Sequence, residues 1–130
     1  MKRRMILGLA SLALLLTSVL VFSEKAEAGQ CVIGTATIGK EVYGNYYRFK
    51  YRNATYCASG TYYVKVSVCV GSACAVKDGP YRSGGALSTA TTYSLWYQKG
   101  TCHTATGRAW AYILGSGSES SGKTGYSTCG

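Results

Sequence analysis

From Val32 onward, β-branched and aromatic residues alternate with polar ones. Gly or Ser clusters interrupt the alternation, and no run keeps the spacing of an amphipathic helix. The alternation predicts strands over Val32–Ile38, Tyr46–Tyr56, Thr61–Val70, Ala73–Lys77, Thr91–Gln98, Arg108–Leu114 and Tyr126–Cys129. Several short strands with turn signals and no helix predict an all-β fold, a small antiparallel β-sandwich of Ig-like or barrel-like form. The Gly/Ser-rich stretch from Gly115 to Gly125 reads as a flexible tail pinned at its far end by Cys129. In Arg108-Ala109-Trp110-Ala111-Tyr112 the large ring alternates with small residues, which suggests Trp110 as the central core aromatic.

One hairpin is specified in detail. Thr61–Val70 puts Tyr62, Val64, Val66, Val68 and Val70 on one face, with Tyr63, Lys65, Ser67 and Cys69 on the other. Gly71-Ser72 suits a two-residue type II′ loop, which sets Val70 against Ala73 and Cys69 against Cys74. In the second pair out from such a loop the Cα atoms lie about 4.5 Å apart, at the short end of disulfide range. A Cys69–Cys74 bridge is therefore expected. A second register follows if Cys57-Ala58-Ser59-Gly60 joins neighbouring strands. It sets Tyr51 opposite Val66 and Phe49 opposite Val68, and it brings Arg52 opposite Lys65 on the outer face.

The start of the chain changes the setting. Met1-Lys2-Arg3-Arg4, an apolar run from Met5 to Phe22 and Ala26-Glu27-Ala28 have the form of a signal peptide over residues 1–28. Cleavage there leaves 102 residues, Gly29 to Gly130, enough for a single secreted domain with no further transmembrane segment. All six cysteines, Cys31, Cys57, Cys69, Cys74, Cys102 and Cys129, lie in that part. An even number in a small exported domain implies three disulfides. Beyond Cys69–Cys74 the other four allow three pairings, among which Cys31–Cys57 with Cys102–Cys129 is preferred. No C-x-x-C pair is present and His103 stands alone, so neither a metal nor a cofactor is expected.

Charge points to a class of partner. The leader holds four of the fourteen Lys and Arg and two of the five Asp and Glu, leaving ten cations against three carboxylates, a net +7. A basic exported domain is drawn to anionic lipid or envelope polymer. The second register gathers Arg48, Lys50, Arg52 and Lys65 with Tyr63 into a basic, aromatic face, the best candidate for anion binding. Trp96 falls on the opposite parity from Tyr93, Leu95 and Tyr97 and is the candidate exposed aromatic. The loop Asp78–Gly85 sets Tyr81 and Arg82 between turn residues and is a candidate contact loop for a secreted protein target.

Catalysis is not expected. The three carboxylates, Glu41, Asp78 and Glu119, show no spacing that would converge them on His103, although Glu41, His103 and Arg48 or Arg108 would suffice in kind for a small ribonuclease. Nucleic acid is accordingly a weak candidate partner. Asn53-Ala54-Thr55 matches a glycosylation sequon by composition alone. In architecture and cysteine content the chain is similar to small exported β proteins of Gram-positive bacteria, including some bacteriocins and enzyme inhibitors. That similarity carries no functional residue across. The leading expectation is a secreted, monomeric, non-enzymatic protein of a Gram-positive bacterium that binds an anionic cell envelope, bacteriocin-like in manner. An inhibitor of an extracellular protease or glycosidase and a structural coat or matrix component are the alternatives.

Overall fold

The computed structural model describes residues 30–130; the signal peptide expected over residues 1–28 lies outside the described residues. Ten strands and no α-helix make up this part: β1 Cys31–Ile33, β2 Thr37–Tyr43, β3 Tyr46–Cys57, β4 Tyr62–Val70, β5 Ala73–Asp78, β6 Ser88–Tyr93, β7 Tyr97–Gln98, β8 His103–Ile113, β9 Gly117–Ser120 and β10 Thr124–Thr128. They form two antiparallel sheets, the disulfide-stapled sandwich that the alternation predicts. In the first sheet β3 is central. β2 pairs with it from Tyr43↔Tyr46 to Thr37↔Arg52, and β1 pairs with it as well. Its other edge takes β6, from Lys50↔Tyr93 to Thr55↔Ser88, and β7. The second sheet runs β10-β8-β4-β5, with β9 on the far half of β8.

The hairpin of β4 and β5 has the register read from the sequence, with Val70↔Ala73 and Cys69↔Cys74 paired. Gly71 takes φ +61°, as the first position of a primed turn requires. Cys69–Cys74 and Cys102–Cys129 are disulfides, and Cys31 and Cys57 are also disulfide-bonded.

The second register is corrected. β3 and β4 are not neighbours in one sheet; they face each other across the sandwich. Tyr47, Phe49 and Tyr51 of β3 meet Val64, Val66 and Val68 of β4 in the shared core, joined by Ala90, Ala105 and Ala109. The apolar sets therefore do meet, but by packing between layers. Consequently Arg52 pairs with Thr37 and Thr91, and Lys65 pairs with Asp78 and Trp110.

Trp110 is also corrected. Val64↔Ala111, Val66↔Ala109, Val68↔Gly107 and Val70↔Ala105 share the inner face, so it is the small residues of β8 that point into the core. They leave room for the three large rings of β3, and Trp110 stands on the outer face. Tyr47 donates from its phenol to Thr101 O at 2.6 Å, and Tyr62 to Ala86 O at 2.6 Å, so these buried hydroxyls are satisfied.

Three further differences have local causes. The strand expected over Val32–Ile38 is divided between β1 and β2, and β2 runs on to Tyr43 because Tyr43-Gly44-Asn45-Tyr46 closes a two-residue hairpin with Gly44 at φ +60°. The half of β8 before Arg108 is also a strand, because β10 pairs with it from His103 to Gly107. The expected Gly/Ser tail is folded. β9 pairs with β8, and Ser121 adds bonds between its hydroxyl and both backbone groups of Ala109 at 3.3 Å.

Candidate functional site

The outer face of the first sheet is built on β3, whose inward positions are committed to the core. Its outward positions Tyr46, Arg48, Lys50 and Arg52 lie opposite Tyr43, Glu41, Gly39 and Thr37 of β2. On the other side Lys50 and Arg52 lie opposite Tyr93 and Thr91 of β6. Glu41 organises the centre. Its Oε1 accepts from Arg48 Nε and Nη2, both at 3.0 Å, and its Oε2 lies 3.8 Å from Lys50 Nζ. The Arg48 guanidinium also lies 3.9 Å from the centre of the Tyr93 ring and 4.5 Å from that of Trp96.

Arg48 is therefore a fixed strut that holds two rings and one carboxylate. Lys50 is more open, and Arg52 is exposed and forms no ion pair among the described residues. Trp96, 44% exposed, and Tyr43, 79% exposed, lie 6.4 Å apart. With Glu41, Val42 and Arg48 they line a shallow open depression of about 580 Å³. Three cations against one carboxylate give this face a local excess of two positive charges.

Lys65 and Tyr63 do not belong to it. They stand on the outer face of the second sheet, so the basic cluster expected from sequence is divided between the two outer faces. Pairing across β5, β4, β8 and β9 arranges this second face in rows. One row runs Tyr63, Tyr112, Ser118; the next runs Asp78, Lys65, Trp110, Ser120; the third runs Val76, Ser67, Arg108. Tyr63 and Tyr112 stack at 5.3 Å with planes 8° apart, and Tyr81 meets Tyr63 edge-on at 5.3 Å.

Lys65 Nζ lies 3.3 Å from Asp78 Oδ1 and 5.5 Å from the centre of the Tyr112 ring. The hydrogen bond that Lys65 donates to the Asp78 carboxylate raises its pKa above 10.5. Partial burial, and then the Asp78 charge, hold the Tyr63 phenol above 10.0. A raised lysine pKa contributes stability that is complete below the unfolded value and lost as pH rises through the folded one. Asp78→Asn is thus expected to lower stability by a few tenths of a kcal/mol, as exposed pairs do. Urea unfolding should show that deficit at neutral pH, and it should close at alkaline pH above the Lys65 pKa.

The Tyr81–Arg82 loop is tied down. Arg82 exchanges backbone hydrogen bonds with Tyr62 at 2.8 and 2.9 Å, and its Nε donates to Leu87 O at 3.3 Å. Tyr81 thereby joins the second face. His103 packs against Tyr97 at 4.2 Å between ring centres, whereas Glu41 is on the outer side of the first sheet. Asn53 of the sequon is buried at 4% exposure and donates to Tyr51 Oη at 3.2 Å, so folding hides the amide that glycosylation would need. Among the described residues no cluster of three His, Cys, Asp or Glu side chains is placed to hold a metal ion. No helix there is long and apolar enough to cross a membrane.

What sequence reasoning missed is the division of the expected basic, aromatic face between two sheets. Tyr93, Tyr112, Trp110 and Glu41 gain their roles only from which strand lies beside which. Comparison with protein-family models, curated proteins and solved structures finds no match to this chain.

Proposed function

We propose that this protein is secreted and binds an anionic cell-envelope surface without catalysing a reaction, in the manner of a bacteriocin-like antagonist. The observation that carries the reading is the outer face of the first sheet. There Arg52 stands open and Lys50, 3.8 Å from Glu41, is partly exposed beside an Arg48 bound by the same carboxylate, with Tyr43 and Trp96 exposed alongside. Open cations attract phosphate or carboxylate, and amphipathic rings at the margin suit a headgroup or polymer boundary. The leader, the net +7 and the disulfides support the setting. The separation of Glu41 from His103 supports a non-catalytic role.

Two surface cations facing an anionic membrane contribute about 1 kcal/mol each. Lys50→Gln with Arg52→Gln is therefore expected to weaken binding to phosphatidylglycerol vesicles, and to isolated Gram-positive walls, by roughly thirtyfold at low salt. High salt should weaken the wild type in the same direction. Lys77→Gln with Lys123→Gln removes the same charge elsewhere and should cost much less. Equal losses in the two double variants would mean that net charge alone, and not this face, drives binding.

A further inference from the structure

We propose that the outer face of the second sheet is a separate saccharide-binding platform, taking a strand of uncharged hexoses or N-acetylhexosamines on Tyr81, Tyr63, Tyr112 and Trp110. This goes beyond the anionic-surface reading and does not depend on it.

The first support is placement. Tyr63, Trp110 and Tyr112 occupy outward positions of β4 and β8, the two central strands of their sheet, and Tyr81 is fixed by the backbone pairing of Arg82 to Tyr62. The rings are therefore held before any ligand arrives, which spares the ordering entropy of binding. Strands lie about 4.8 Å apart and alternate residues about 6.8 Å, so the four rings cover a patch several ångströms across in both directions.

The second support is chemistry. A hexopyranose has an apolar C–H face and a hydroxylated edge, so it asks for an aromatic surface fringed with hydrogen-bonding groups. Here the rings are flanked by the exposed hydroxyls of Ser118 and Ser120 on one side and by Lys65 with Asp78 on the other. The single aliphatic side chain in these rows is Val76, whereas an acyl-chain partner would be met by a more aliphatic patch. Charge is the third support. Lys65 and Asp78 pair at 3.3 Å, so Arg108, whose guanidinium lies 5.7 Å from the centre of the Trp110 ring, is the one unbalanced charge in these rows, against two on the first face. The lower charge suits an uncharged polymer better here than on the first face, and Lys65 is held as a donor above the Tyr112 ring.

The chain's two tryptophans make the faces separately readable, since Trp96 belongs to the first and Trp110 to the second. The test uses Trp96→Phe protein, in which Trp110 alone reports, titrated with chitohexaose and cellohexaose. Saturable change in Trp110 emission with at least one of them, little altered by high salt, is expected. Adding Tyr63→Ala or Tyr112→Ala should weaken that binding roughly tenfold while phosphatidylglycerol binding persists. Tyr63→Phe and Tyr112→Phe keep the ring and should retain most of the affinity, which separates lost stacking from lost folding. No response to either sugar overturns the proposal and leaves the anionic reading intact. So does loss of vesicle binding in the alanine variants, which would make these rings part of a lipid site. A dimer in sedimentation that Tyr63→Ala dissociates, without any sugar response, would assign the face to a second copy of the chain and likewise overturn it.

Discussion

Gly107→Ala is expected to destabilise the domain by about 3 kcal/mol, although alanine is ordinarily the better residue within a strand by about 0.5–1 kcal/mol. The reversal comes from Tyr51. A Cβ on Gly107 would fall against Cδ1, Cε1 and Cγ of that ring, closer than real Cβ atoms approach. Tyr51 has little room to retreat, because it is fully buried in the cluster with Tyr47 and Phe49 and accepts from Asn53 Nδ2 at 3.2 Å. Overpacking of this kind costs about 1–3 kcal/mol, and more where backbone must shift. Against a total stability of roughly 5–15 kcal/mol this is a large effect. Tyr51→Leu should be destabilising alone, yet adding Gly107→Ala to it should cost little, because the ring that caused the clash is gone. Urea midpoints for the two single variants and the double variant close the cycle. Additive losses would show that the two residues do not compete for the same space.

The same pair explains how far the fold was legible beforehand. Alternation along Tyr46–Tyr56 and Thr61–Val70 identifies which side chains point inward. It does not say whether two inward faces meet as neighbours in one sheet or across a sandwich. A short connection such as 58–61 favours a hairpin, since consecutive strands are often adjacent. In this chain it is the corner between two sheets. Where a turn fixes geometry locally, as at Gly71-Ser72, the register could be read to the residue, and the Cys69–Cys74 bridge with it.

Trp110 faces outward, against the sequence expectation, for a related reason. A sandwich has a fixed thickness, so the three rings of β3 require small partners on β8, and the larger residues of that strand are then turned outward. β9 and the first half of β8 carry few apolar residues and owe their order to pairing with strands that sequence did not place beside them. The candidate site inherits these limits. Arg48, Lys50 and Arg52 share a face because they share a strand. Glu41, Tyr93 and Trp96 reach Arg48 from three other segments, and Lys65 stands apart from the group because β3 and β4 belong to different sheets.

Opening the Cys102–Cys129 bridge, as Cys102→Ala with Cys129→Ala, is expected to cost about 3.5 kcal/mol, against about 2 kcal/mol for Cys69→Ala with Cys74→Ala. The separations are 27 and 5 residues, and the loop entropy restored to the unfolded chain grows with the logarithm of that number. The folded state amplifies the contrast. Cys69 and Cys74 flank a two-residue turn whose strands are already in register, so that bridge adds a local constraint to a hairpin the backbone closes by itself. Cys129 follows β10, an edge strand held to β8 along its five residues. Tyr126 of that strand meets Phe49 edge-on at 6.1 Å, and Cys129 O accepts from Gly100 N at 2.7 Å. Without the bridge, β10 is free to peel from β8 and uncover Phe49. Faster amide exchange across Thr124–Thr128 and trypsin cleavage after Lys123 should therefore appear in this variant and not in the Cys69/Cys74 one. Equal losses of stability in the two variants, with β10 protected in both, would mean that edge pairing and the packing of Tyr126 hold the C-terminal strand without the staple.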